Sequence, residues 1–174
     1  MSHWKITLLA ACLIASCATK TANLVMDDGH ASAIRLGGIS ANFDGVDRFT
    51  ITTLGRIHSI SAKTPATLSI ADNHQFAIHN YGHGSGQVYS LSVIDLTSGR
   101  SAQDDSVRRA IAAKAIGCQA KPDHISLVFQ KWIGVRRFEI AVEDFNRDQA
   151  CKYSRYDYEV AIKNNGQDIM MEMR

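Results

Sequence analysis

The chain has 174 residues, of which 45% are hydrophobic and 21% are charged, and its formal net charge is +2. This length suits a single domain with a core of its own. With 19 basic and 17 acidic residues there is no general attraction to nucleic acid or acidic lipid, so no nucleic-acid partner is predicted.

The N-terminus has the pattern of an export signal. Lys5 supplies positive charge, and the apolar run over residues 6–14 is too short to span a bilayer as a mature helix. The run ends in Ile14-Ala15-Ser16-Cys17, which resembles the lipobox of bacterial lipoproteins. The resemblance implies that residues 1–16 are a signal peptide and that Cys17 becomes a lipidated, palmitate-bearing N-terminus. The alternative is an ordinary secretory signal that is cut nearby.

This resemblance also implies a location and a domain plan. The protein would be lipid-anchored in the bacterial cell envelope, on the outer membrane facing the periplasm if the cell is Gram-negative, because Ala18 rather than Asp follows the cysteine. Residues 17–32 are the lipidated N-terminus and a predicted tether, since they are polar and lack periodicity. Residues 33–174 are expected to form one globular α+β domain.

Residues 48–93 predict several short strands. Apolar and polar residues alternate in four runs, and turn-forming residues separate the runs. The alternating apolar positions are Phe49 and Ile51, Leu68 and Ile70, Phe76 and Ile78, and Tyr89, Leu91 and Val93.

A predicted loop over residues 79–86, HNYGHGSG, is the most chemically suggestive stretch. It resembles the HNYGHGG signature of FAD-dependent D-amino-acid oxidases, where glycine backbone approaches the flavin. The match covers eight residues, and the strand followed by GxGxxG that should open such an enzyme is absent. We therefore interpret the match as coincidental and predict no cofactor.

Two other functions would use the same loop. His79 and His83, with His58 or His74, could bind zinc or copper through neutral imidazoles. Ser85 could act as a nucleophile, although its spacing is not that of a GxSxG elbow. We favour solvated histidines in a glycine-rich turn, and so assign no catalytic and no metal residue.

The sequence from Ser101 onward predicts the main helix, over about residues 102–117. Ser101 and Asp104 have the spacing of a capping box, and Gly117 and Pro122 are stop signals. An apolar stripe recurs at steps of three and four, at Val107, Ala110, Ile111, Ala115 and Cys118.

Two alternating strands follow the helix, and a third lies near the C-terminus. Residues 132–134 are predicted to connect the first two, and residues 167–173 to return as an edge strand. Each strand has one apolar face. In the first strand it consists of Ile125, Leu127 and Phe129, in the second of Phe138, Ile140 and Val142, and in the third of Tyr156, Tyr158, Val160 and Ile162. The fold class expected is α+β, a mostly antiparallel sheet packed with one main helix.

Cys118 and Cys151 remain once the signal peptide and Cys17 are set aside. A pair of cysteines in an exported protein most simply forms a disulfide. A redox-active pair is the alternative, but it usually needs a local CxxC, which this chain lacks.

A possible partner-binding patch consists of Lys131, Trp132, Arg136 and Arg137. An exposed Trp132 among cations could contact lipid headgroups, a glycan or a protein. The alternative, which we favour, is a Trp folded back over the sheet beside solvated cations.

The function expected from these features is that of an envelope lipoprotein that binds or assembles with a protein or glycan partner. The alternative is a small envelope enzyme or metal-binding protein that uses residues 79–86. The sequence favours the non-enzymatic function.

Overall fold

The computed structural model describes residues 22–25, 33–36, 38–44, 48–53, 55–61, 66–83, 88–144, 151–153, 155–164 and 168–174. These residues form three antiparallel sheets, one α-helix and one 3-10 helix.

Each sheet has a simple strand order. The outer sheet runs in chain order through β2 (Ala33–Leu36), β3 (Ile39–Phe43), β4 (Arg48–Thr53) and β5 (Arg56–Ser61). The central sheet runs through β1 (Ala22–Val25), β6 (Ala66–Ile70), β7 (Phe76–His83), β8 (Val88–Asp95) and β9 (Ser101–Gln103). The C-terminal sheet runs through β10 (Ile125–Gly134), β11 (Arg137–Asp144), β12 (Asp157–Asn164) and β13 (Ile169–Met173). Helix α1 (Asp105–Ala112) and the 3-10 helix (Pro122–His124) lie between β9 and β10 in sequence.

The central sheet is covered on both faces. Because successive strand residues point to opposite faces, Phe76 and Ile78 of β7 enter one core while Ala77 enters the other. The first core lies against the C-terminal sheet and α1, and the second lies against the outer sheet. The described residues therefore form a three-layer β structure in which both cores share one sheet.

Most of the predicted pattern is confirmed. The described residues are mostly antiparallel β-sheet and contain a single α-helix, so the fold expected as α+β is mostly β. Residues 48–93 supply strands of two sheets, and the alternating set Phe138, Ile140 and Val142 is buried. The predicted C-terminal return is β13, which pairs with β12 at the edge of its sheet.

The helix is shorter than predicted. It begins at Asp105 rather than near residue 102, because Ser101 belongs to β9 and pairs with β8. Asp104 occupies the N-cap position but makes no capping bond. Its carboxylate is instead engaged by the backbone of β8, so tertiary contacts override the capping-box pattern. The helix ends at Ala112, before the stop signal at Gly117.

The hairpin connection lies later than predicted. β10 continues through Trp132 to Gly134, and the turn is formed by Val135 and Arg136. Two register shifts, between Phe129 and Lys131 and between Trp132 and Gly134, interrupt the pairing with β11. Such irregularities break the period-two pattern from which the sequence was interpreted.

The predicted tether differs from the structure at four residues. Residues 22–25 form β1, which pairs antiparallel with β6 at the edge of the central sheet. Cys17 and residues 1–16 lie outside the described residues.

A buried ion pair joins α1 to the central sheet. Arg108 Nε lies 3.0 Å from Asp104 Oδ2, and both residues are buried. The same carboxylate oxygen accepts the Leu91 N–H of β8 at 2.8 Å. Arg108 also donates to the carbonyl of Tyr89 at 2.7 Å and to the Ser90 hydroxyl.

The other end of this guanidinium reaches the C-terminal sheet. Arg108 donates to the carbonyls of Pro122 and Ile125, at the entry to β10. One side chain therefore satisfies acceptors on β8, on the 3-10 helix and on β10. Burial raises the pKa of the Asp104 carboxyl above its ordinary value, while Arg108 and the Leu91 N–H act in the opposite direction.

Side chains also bond the central sheet directly to β10. Asn80 donates to the carbonyls of Ser90 and Leu127, at 2.9 and 3.0 Å, and its side-chain oxygen accepts the Phe129 N–H at 3.0 Å. The buried Ser126 hydroxyl accepts the Tyr89 N–H at 3.0 Å. These bonds fix how β10 lies on the central sheet.

The disulfide prediction is confirmed. Cys118 and Cys151 are joined, and their Cα atoms are 5.5 Å apart. Beside the bond, the backbones of Ile116 and Lys152 form an isolated antiparallel bridge. The segment after α1 is thus held to the segment that precedes β12.

Arg108→Met should lower the free energy of unfolding by about 3–5 kcal/mol, because it leaves the Asp104 carboxylate buried without its partner. Arg109→Met is the matched control, since Arg109 is exposed on the same helix, and it should change stability by about 0.5 kcal/mol or less. Urea unfolding of both variants checks this, and equal losses would contradict it.

Cys118→Ser and Cys151→Ser should each lower stability by about 3–4 kcal/mol, because each opens a loop of 33 residues. The double variant should cost little more than either single one, since all three remove the same bond. Additive losses in urea unfolding would instead mean that each cysteine stabilises the fold through its own packing.

Candidate functional site

The patch predicted around Trp132 is not an exposed ring among free cations. Trp132 is half-buried, packs edge-on against Phe129 and Phe138, and donates from its indole N–H to Ser69 at 3.0 Å. It is thus folded back over the sheet, as in the alternative favoured above.

The three cations of that patch all have neighbours. Lys131 lies 3.3 Å from Glu139, and Arg137 lies 3.0 Å from Glu159. The guanidinium of Arg136 lies 5.7 Å from the centre of the Phe76 ring. Their role in binding a partner stays a prediction.

The stretch predicted as a solvated turn is largely a strand. Residues 79–83 belong to β7, and His79 is 3% exposed, so the turn interpretation is wrong for this residue. Asn80 faces β10, whereas His79 and Tyr81 face the opposite side of the sheet. This alternation continues the period-two pattern of Phe76 and Ile78, which was the signal in the sequence for a longer strand. The side chain of His83, the residue Ser85 and the glycines at 84 and 86 lie outside the described residues.

An open cleft of about 700 Å³ lies beside the outer sheet. One wall consists of five consecutive residues of β5, numbers 57–61. Successive side chains of a strand point to opposite faces, so a cleft along one face would be lined by alternate residues only. Contact with all five means that the cleft runs along the edge of β5, which is also the last strand of its sheet.

The floor of the cleft is a sheet face rather than a strand edge. It is lined by alternate residues from three neighbouring strands of the central sheet, namely His79, Tyr81, Ser92, Ile94, Ser101 and Gln103. The floor is therefore one sheet face, the face that also carries the core shared with the outer sheet.

Strand register arranges the floor in rows. Ile94 pairs with Ser101 in the first row. His79, Ser92 and Gln103 are cross-strand neighbours in the second row. Tyr81 follows in a third row, where its ring stacks on His79 with centroids 4.7 Å apart.

One end of the cleft is closed by bonds from β5 to the turn that follows β8. His58 Nε2 lies 3.0 Å from the Leu96 carbonyl, so this nitrogen carries the proton and donates. Arg56 donates to the Thr97 carbonyl at 2.5 Å. Gly99 lines this end with φ of +78°, and a Cβ there would lie 3.4 Å from the His58 ring. A glycine suits both the backbone and the space.

No aspartate, glutamate, lysine or arginine lines the described cleft. Burial lowers the pKa of His79 to about 4, so its imidazole is neutral near pH 7. Burial also raises the pKa of Tyr81, so its hydroxyl keeps its proton and donates to the Gln103 side-chain oxygen at 3.3 Å. The described lining offers hydroxyl groups, an amide and the neutral imidazole of His79.

His79 Nε2 is a buried polar atom without a hydrogen-bond partner. Among the described residues it is one of two buried side-chain polar atoms without a hydrogen-bond partner, the other being the Tyr158 hydroxyl. Tyr158 lies in the core on the opposite side of the central sheet, whereas His79 lines the cleft. A buried polar atom without a partner is costly, and this nitrogen is enclosed by protein rather than open to the cleft.

The described residues contain no group of three or more His, Cys, Asp or Glu side chains placed to hold a metal ion. Within the same part of the chain, no helix is both long and apolar enough to cross a membrane.

The geometry of the cleft fits non-covalent recognition of an uncharged ligand, since volumes of about 300–1,000 Å³ with a few polar groups are typical of ligand sites.

Sequence reasoning missed β5 and therefore the cleft. The stretch Arg-Ile-His-Ser-Ile-Ser places isoleucines at Ile57 and Ile60, three apart, so it does not alternate. Ile57 is 70% exposed while Ile60 packs against the second core. An edge strand buries little of either face, which leaves only a weak periodic signal.

A comparison of the chain with known protein families, with curated proteins and with solved structures found no match.

The unfolding free energy should fall as the pH is lowered from 7 to 5. The pKa of His79 in the folded protein, about 4, lies below the ordinary histidine value of 6.5, so the unfolded chain binds this proton more readily over that interval. The contribution of this one group is about 1–2 kcal/mol. Urea unfolding at both pH values should show a smaller fall for His79→Gln, and parallel profiles would contradict the burial of a neutral imidazole.

Proposed function

We propose that this protein is a lipid-anchored binding module of the bacterial cell envelope and that its ligand or partner occupies the cleft between β5 and the central sheet. The observation that carries the binding role is an open cleft of about 700 Å³ between a strand edge and a sheet face, whose described lining carries hydroxyl and amide groups and no Asp, Glu, Lys or Arg. Binding is favoured over catalysis because the described lining combines polar groups that can recognise a ligand with no charged side chain.

The envelope location is supported by the lipobox-like residues that end at Cys17. If Cys17 bears lipid, only residues 18–21 separate it from β1. Five Cα steps span at most about 18 Å. The anchored domain would therefore stay close to the membrane surface, with the β1 edge of the central sheet nearest to it.

A photo-crosslinking residue placed at Ser59, on the cleft edge, should give a discrete adduct in cells that carry the lipidated protein. The adduct should disappear when Ser101→Trp fills the floor. The same crosslinker at Gln130, which is exposed on β10, is the matched control and should not give this adduct. Equal adducts at both positions, or an adduct that survives Ser101→Trp, would refute a partner in the cleft.

Mass spectrometry of the membrane-extracted protein should show an acylated Cys17 as its N-terminus. Cys17→Ser should move the protein from the membrane fraction to the soluble fraction, because several buried acyl chains provide the anchor. An unmodified mature protein found only in the soluble fraction would contradict the anchor without affecting the cleft.

A further inference from the structure

Among the described residues, the wall of the cleft is a strand edge without the usual protection. Edge strands of natural proteins commonly carry charges, prolines or bulges that prevent pairing with another chain. Between Ile57 and Ser61, β5 has no charge and no proline, and its pairing with β4 is regular throughout. The only charged residue of β5, Arg56, is turned to the Thr97 carbonyl at the closed end.

The floor of the cleft lies beneath the position that a strand added to β5 would occupy. A strand paired with β5 continues the outer sheet by one position, about 4.8 Å to the side. It would then lie over the face that carries His79, Ser92 and Ser101, because these residues and β5 border the same cleft. Alternate side chains of the added strand would point into the floor.

The chemistry of the floor restricts those side chains. The described lining has no Asp, Glu, Lys or Arg to pair with a charged side chain, and burying an unpaired charge is costly. In the first row, Ile94 and Ser101 suit a small or apolar side chain. In the second row, the exposed Gln103 offers an amide to which an amide or hydroxyl side chain can bond.

We propose that the cleft binds an extended segment of a partner protein as an additional strand on β5. The segment spans about five residues to match residues 57–61, is uncharged on the side that faces the floor, and places an amide or hydroxyl side chain over Gln103. Main-chain bonds to β5 provide affinity, and the rows of the floor provide specificity. This inference rests on the binding role proposed above, and it names the ligand of that site.

The test uses the detergent-solubilised full-length protein and a library of acetylated, amidated heptapeptides. Selected peptides should be uncharged at alternate positions and should share Asn, Gln, Ser or Thr at one of them. Remaking the best binder with N-methyl groups on alternate backbone amides removes its donors to β5. Affinity should fall tenfold or more, because two or three main-chain hydrogen bonds are lost.

Two variants locate the binding site. Ser101→Glu places a charge in the floor at an exposed position and should weaken the selected peptide about tenfold. Gln130→Glu adds the same charge on the C-terminal sheet and should leave the affinity unchanged. Gln103→Leu should remove the preference for an amide or hydroxyl side chain while peptides with an apolar residue there still bind.

Three results would overturn the inference: no peptide selected, selected peptides with charges at alternate positions, or N-methylated peptides that bind as well as their parents. The crosslink at Ser59 distinguishes failure of the peptide proposal from failure of the binding role itself. An adduct with a glycan or with a second copy of this chain keeps the cleft as a binding site but refutes a partner peptide. Absence of any adduct refutes both.

Discussion

The architecture depends on a central sheet that is buried on both faces. Where such a sheet is covered, little water reaches its polar side chains, so they need hydrogen-bond partners within the protein. Asn80 meets this need through β10, and the Asp104–Arg108 pair does so for the start of β8. The bonds that satisfy the sheet are therefore the same bonds that join the layers.

His79 is the exception to this rule on the face toward the outer sheet. Its ring is enclosed by Phe49 of β4 and by Tyr81, while its Nε2 has no partner. Among the described residues the outer sheet ends at β5. The cleft lies along this edge, and the His79 ring contributes to its floor. In the binding role that we propose, the ligand occupies the space beside β5.

The sequence predicted the parts of the fold that depend on local periodicity. Strands with one apolar face, such as the one that carries Phe138, Ile140 and Val142, were identified because their pattern has a period of two. The disulfide followed from pairing two remaining cysteines. The start of the helix was misplaced because Asp104 serves β8 and Arg108 rather than the helix terminus, and this use depends on tertiary contacts.

The cleft could not be predicted in the same way. Its wall is a strand edge, whose backbone groups leave no mark in the order of side chains, and its floor combines residues from three strands. Hydrogen exchange at residues 57–61 tests the central claim most directly, by comparing the purified protein with the protein in its native membranes. Strand addition predicts that alternate backbone amides in this range exchange readily in the purified protein and are protected in the membranes. Equal exchange in both samples would contradict the proposed use of this edge.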